Sequence, residues 1–174
     1  MIFLYSYFFV PLNIFSTCSG FIEIIAKLYE IGLIEKTGYL LTKEEAIARG
    51  ISQYLVKRLR KSEYGTVFEL YSDNEGEVLL TQKDIRELQL AKGAIVAGVN
   101  TMLTKCNLKS EDVDKCYLAG AFGTYLDKKS AKLIGLLPDI AIENIIPIGN
   151  GALLGASRVL MESDGFALAN KIAM

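Results

Sequence analysis

Apolar side chains recur at Phe21, Ile24, Ile25, Leu28 and Ile31 and resume at Leu33 beyond Gly32. That spacing of three or four residues is the period of one helix face, so it predicts an amphipathic helix within 20–34, capped by Ser19 and stopped at Gly32. Thr42, with Glu45 three residues on, reads as a capping box that opens a short helix ending near Gly50. Residues 67–71 favour a strand, the polar stretch 72–77 a turn, and Val78-Leu79-Leu80 a second extended segment. Thr81 is then placed to cap a long helix from about 83 to 106, with an apolar face through Ile85, Leu88, Ala91, Ile95, Val99, Met102 and Cys106.

Further along, 113–119 reads as a buried strand broken at Gly120 and Gly123, and 128–136 as a helix ended near Pro138. Residues 145–148 read as extended and 151–161 as a final helix, followed by a polar turn at 163–165 and a short tail. The order of helix, strands, long helix, strand, helix, strand and helix predicts an α/β fold with a mixed sheet and flanking helices. No internal repeat or low-complexity tract interrupts it.

Composition narrows the function classes. The chain has 174 residues, 51% hydrophobic and 22% charged, enough to bury a core. Nineteen basic residues against 20 acidic ones leave a formal charge of −1, so no field gathers nucleic acid or an anionic membrane. Cys18, Cys106 and Cys116 show neither a C-x-x-C spacing nor an even count, and read as reduced thiols of a cytoplasmic protein. Histidine is absent, which leaves carboxylates, lysine, backbone dipoles or a bound cation to carry any chemistry. Residues 1–15 are apolar, but they fall short of the roughly 20 residues that a span requires, contain Pro11, and lack the basic start of a signal peptide. An atypical start on a truncated chain is the favoured reading over a membrane role.

Two glycine turns are the candidate chemistry. Gly120-Ala121-Phe122-Gly123 follows a strand, and Gly149-Asn150-Gly151 opens a helix. Glycine lets backbone approach a ligand, and a helix start offers free N–H groups to phosphate. The first turn serves equally as a tight connection, and the second as a helix-packing seam. Neither is a G-x-G-x-x-G fingerprint or a Walker A loop. Gln82, Lys83 and Asp84 could contact a ribose, a phosphate or a partner, while Asp84 would also suit the positive end of its helix.

Three segments together resemble a known family: Leu80-Thr81-Gln82-Lys83-Asp84-Ile85-Arg86-Glu87-Leu88-Gln89-Leu90-Ala91-Lys92; then Tyr117-Leu118-Ala119-Gly120-Ala121-Phe122-Gly123-Thr124-Tyr125-Leu126-Asp127; then Ile134-Gly135-Leu136-Leu137-Pro138-Asp139 with Gly149-Asn150-Gly151. They look like the C-terminal ATPase region of the reductive activators of corrinoid proteins, a group that includes the activases of methylamine methyltransferase systems. The resemblance implies one lobe of the acetate kinase, sugar kinase, chaperone and actin fold, in which two lobes close on ATP with Mg²⁺. Gly120, Ala121, Phe122 and Gly123 would contact the adenosine, Gly149, Asn150 and Gly151 would flank the same cleft, and Gln82, Lys83 and Asp84 would be neighbours. The implied activity is ATP-dependent return of a corrinoid protein from cob(II)alamin to cob(I)alamin. Its partners would be that corrinoid protein and a complementary lobe or second copy.

This sequence departs from the family pattern twice. The first phosphate loop has no counterpart beyond Thr17-Cys18-Ser19-Gly20, and three scattered cysteines cannot supply the four ligands of an iron–sulfur cluster. The resemblance places that cluster in another part of the full-length protein. The expected layout is an atypical segment at 1–16, the lobe at 17–162 and a tail at 163–174. The expectation is a fragment not competent alone, with a non-catalytic docking module or remnant as the alternative. Activators of the dehydratase and benzoyl-coenzyme A reductase type share the implied fold and fit the Gln82-Lys83-Asp84 string less well.

Overall fold

A computed structural model describes residues 18–63 and 65–173, without the side chains of Cys18, Ala121 and Phe122. The apolar segment 1–16 and Thr17 lie outside the described residues. The first helix, α1, spans Cys18–Glu30. It starts earlier than its pattern predicts, so Ser19 sits inside the helix, buried, instead of capping it. Its stop is as expected: Gly32 takes φ +81°, a conformation that costs glycine little, and the chain turns back so that Leu33 N–H reaches the Leu28 carbonyl.

Helix α2 (Lys43–Ala48) carries the predicted capping box, with Thr42 and Glu45 bonding each other's backbone N–H. After α3 (Gln53–Val56) come three strands, β1 (Leu59–Ser62), β2 (Gly65–Ser72) and β3 (Glu77–Thr81). They form an antiparallel sheet in that order, with a register shift between Glu69 and Tyr71. β2 and β3 match the reading from sequence. β1 had no signal there, because Leu59-Arg60-Lys61-Ser62 holds one apolar residue and therefore no alternation.

Helix α4 spans Gln82–Lys105 with Thr81 as its cap, as predicted. Its inward face differs from the prediction. The stripe that turns inward runs Ile85, Leu88, Lys92, Val96, Val99 and Leu103, while Ala91, Ile95, Met102 and Cys106 are exposed. Both stripes have helical spacing. On the inward side Lys92 lies with its Cε and Nζ beside Gly135, where the predicted stripe had Ala91.

The second half alternates short elements: β4 (Cys116–Ala119), α5 (Gly120–Tyr125), α6 (Lys128–Leu133), β5 (Ile145–Gly149), α7 (Gly151–Met161) and α8 (Gly165–Ala173). β4 pairs with β5 in parallel, so the described strands divide into one antiparallel and one parallel sheet. The strand expected to be buried at 113–119 is shorter, and Tyr117 and Ala119 are exposed. The expected tail contains α8. A Cβ on Gly165 would overlap the Val159 carbonyl, so the turn reverses tightly and lays α8 along α7.

The main core gathers α1, α2, α3 and the antiparallel sheet around Leu33, Leu40, Leu41, Leu80 and Ile85. A smaller cluster joins Ile22 to Leu126, Ala131 and Leu136. α1 feeds both, through Ile25 and Leu28 on one side and Ile22 on the other. Among the described residues, no helix is long and apolar enough to cross a membrane.

Candidate functional site

The parallel pair brings the two glycine turns together. Its register runs Cys116 to Ile145, Tyr117 to Ile146 and Leu118 to Pro147, then slips so that Ala119 faces Gly149. Both strands therefore end at one level, one entering α5 at Gly120 and the other entering α7 at Gly151. The C-terminal edge of parallel strands, with helices starting there, is where α/β sheets hold ligands, because N–H groups and helix dipoles converge on it.

The four glycines have different local reasons. Gly120 has φ +88° and open space where a Cβ would stand. Gly123 is required by packing, since a Cβ there would lie 2.8 Å from both Leu118 Cβ and the Leu118 carbonyl oxygen. Gly149 has φ +64°, and its nearest neighbour to a built Cβ is Thr124 Oγ1 at 3.9 Å. At Gly151 a Cβ would stand 3.4 Å from Ile148 Cδ1 and 3.7 Å from Ala119 Cβ. Gly120 and Gly149 thus take left-handed backbone with room around it, while Gly123 is held close against Leu118.

Asn150 caps α7: its side-chain oxygen accepts from Leu153 N–H at 3.0 Å. Thr124, adjacent to the glycine candidates but not among them, lies between the turns and donates its hydroxyl to the Gly120 carbonyl at 3.3 Å. The signal that could have found it is its place one residue after Gly123, where a helical hydroxyl reaches back to the first turn. Lys128 Nζ donates to the Ile145 carbonyl at 2.7 Å, tying α6 to the start of β5. Asp127 caps α6, with Ser130 N–H at 2.7 Å. The Ser130 hydroxyl first, then the Ser130 N–H, holds its carboxyl below the ordinary aspartate value.

Gln82 and Asp84 are committed elsewhere. Gln82 donates to the Gly38 carbonyl at 2.7 Å and accepts from Leu40 N–H at 2.9 Å, fastening α4 to the loop beside the main core. Asp84 accepts from Thr81 N–H at 2.8 Å, while its own N–H reaches Thr81 Oγ1 at 3.2 Å. Lys83 is exposed. The geometry therefore unites Gly120–Gly123 with Gly149–Gly151 and gives Gln82 and Asp84 structural partners in the other half.

Comparison with known proteins places both turns within one family. The profile of the family described as "C-terminal domain of RACo the ASKHA domain" matches residues 15–174. The chain belongs to this family. The match includes α8 as well as both glycine turns. A relative, the corrinoid activation enzyme RamQ of Eubacterium limosum, is 34% identical over 155 residues, covering 88% of this chain and 26% of RamQ. The [Co(II) methylated amine-specific corrinoid protein] reductase of Methanosarcina barkeri is 34% identical over 97 residues, covering 53% of this chain and 18% of that protein. A solved structure titled reductive activator for corrinoid, iron–sulfur protein superposes with a TM-score of 0.73 at 37% identity, over 89% of this chain and 24% of the other. The chain spans about a quarter of the length of the first of these relatives.

The residues fit a nucleotide better than a cluster. The open backbone at Gly120 and the helix start at Gly151 are donors suited to an anionic ligand and its sugar. Cys106 lies at the end of α4 and Cys116 in β4, and among the described residues no three His, Cys, Asp or Glu side chains converge as metal ligands.

Proposed function

We propose that this chain supplies the C-terminal nucleotide-binding lobe of an ATP-dependent reductive activator that returns corrinoid proteins from cob(II)alamin to cob(I)alamin. The observation that carries the reading is the pair of glycine turns held level by the parallel strands, within a chain of the RACo C-terminal family. Gly120 and Gly149 would offer backbone to the adenosine, and the α7 start its N–H groups. Reduction of cob(II)alamin is uphill, so ATP binding or hydrolysis must bias a conformational equilibrium that this lobe shares with others. Mg²⁺, the complementary lobe and the cluster would come with the rest of the assembly, and the chain alone would bind nucleotide without turning it over.

The test is calorimetry of the purified chain with ATP and Mg²⁺ beside a Gly120→Val variant. Valine has space at this position but not the backbone, since φ +88° is strained for any side chain. Binding by the parent that the folded variant loses is the expected result. A folded parent that binds no nucleotide overturns the half-site and leaves the second reading, a docking module for a corrinoid protein or a complementary lobe.

A further inference from the structure

Opposite the inward stripe of α4, positions 87, 91, 94, 98, 101 and 105 form a line along the helix, and all six are exposed. Their steps alternate between four and three residues, the repeat of a seam between paired helices. Only the ends of the line are charged, Glu87 at one and Lys105 at the other. Neither side chain has a hydrogen-bond or ion-pair partner among the described residues. Between them stand Ala91, Ala94, Gly98 and Thr101, with the Thr101 hydroxyl donated to the Ala97 carbonyl at 2.7 Å, so the middle of the line holds no unpaired polar side chain. Leu90 and Met102 flank it, each 69% exposed. Gly98 has no use within the chain: it is helical, and a Cβ there would meet nothing within 4 Å. Glycine inside a helix is unfavourable, so its place on this line points to something that approaches from outside.

We propose that this face is an interface between two copies of the chain, with their α4 helices antiparallel. The spacing is the same read from either end, so an antiparallel copy brings position 87 opposite 105, 91 opposite 101 and 94 opposite 98. Glu87 of each copy then meets Lys105 of the other, at both ends of the seam, whereas a parallel copy would set like charges together. Charge complementarity thus selects the second copy and fixes its direction and register. The small residues at the centre let the two backbones approach, and Leu90 and Met102 close over the flanks. From 87 to 105 the seam is about 27 Å long at the rise of an α-helix. A contact of one helix on another falls below the roughly 800 Å² per partner of a standard interface, so the dimer is weak and reversible. The inference goes beyond the activator reading and does not rest on it.

The test is sedimentation equilibrium of the purified chain at low salt, with circular dichroism to show that each variant is folded. A reversible monomer–dimer equilibrium is expected. Glu87→Lys and Lys105→Glu should each weaken the dimer by about fivefold or more, because each replaces two attractive contacts with two repulsive ones. The double variant restores opposite charges at both ends and should return to within about twofold of the parent. Gly98→Leu has room in the monomer but blocks the approach of the second helix, and should weaken the dimer by about tenfold or more. A folded chain that stays monomeric at every concentration overturns the proposal. So does a dimer that the single charge reversals leave unchanged, or a loss that the double variant does not restore, since either assigns association to another face. If Gly98→Leu does not fold, the charge series decides by itself.

Discussion

The half of the molecule built from α1, α2, α3 and the antiparallel sheet closes around its own core, whereas the half built on the parallel strands does not. Leu33, Leu41, Leu59 and Leu80 in the first half are almost wholly shielded. In the second, Tyr117, Tyr125, Leu153, Leu160 and Phe166 all stand more than half exposed. Antiparallel hairpins can keep one face wet, but parallel strands are normally covered on both faces, so a lone parallel pair is an unfinished layer. The candidate site sits on the unfinished half. The main core and the candidate site are thus divided between regions, and the candidate site lies on the more exposed one.

Core truncation should break this contrast most strongly. Leu33→Ala is expected to cost about 2–5 kcal/mol in denaturant unfolding, while Leu160→Ala should leave the midpoint of the isolated chain nearly unchanged. Equal losses would remove the distinction between halves. Next comes Gly123→Val, which forces a side chain into the Leu118 backbone and should cost about 1–3 kcal/mol, read by the same unfolding curve. Thr81→Ala removes the hydroxyl that accepts from Asp84 N–H and should cost about 1 kcal/mol, with fraying at the start of α4 visible in amide exchange.

The smallest effect is a pH dependence in the unfinished half. Asp127 is held below its ordinary value when folded, so its contribution is fully present above the unfolded aspartate value and fades as pH falls through the folded one. Asp127→Asn keeps a capping oxygen but not the charge. The melting-temperature difference between parent and variant should therefore be constant near neutrality and shrink below about pH 4. A difference independent of pH would remove the charge from the account of that cap.

Helix caps and turns were legible because their causes are local. Thr42 with Glu45, the Thr81 cap and Gly32 each act on backbone within a few residues and appear where the sequence placed them, whereas Ser19 lies inside α1 and Asp84 closes the Thr81 box unpredicted. The inward face of α4 was not legible, because two stripes of equal spacing compete and the choice depends on packing against the rest of the fold. β1 was invisible for a related reason: its pairing with β2, and not its own residues, makes it a strand. The site was half legible. Its glycines announced two permissive turns, but Thr124 between them and the structural commitments of Gln82 and Asp84 depend on partners distant in sequence.

The sequence by itself determined α1, α2, β2, β3, α4, β5 and α7 in order and, through three spaced strings, the family, but not α3, β1, α5 or α8. Tertiary structure decided that Ala119, just before Gly120, stands opposite Gly149, that Gln82 belongs to the loop at Gly38, and that α8 folds back on α7. The physical reason is range. Caps and turns are satisfied by hydrogen bonds within one turn of chain, whereas strand register and helix facing follow from burial against residues tens of positions away.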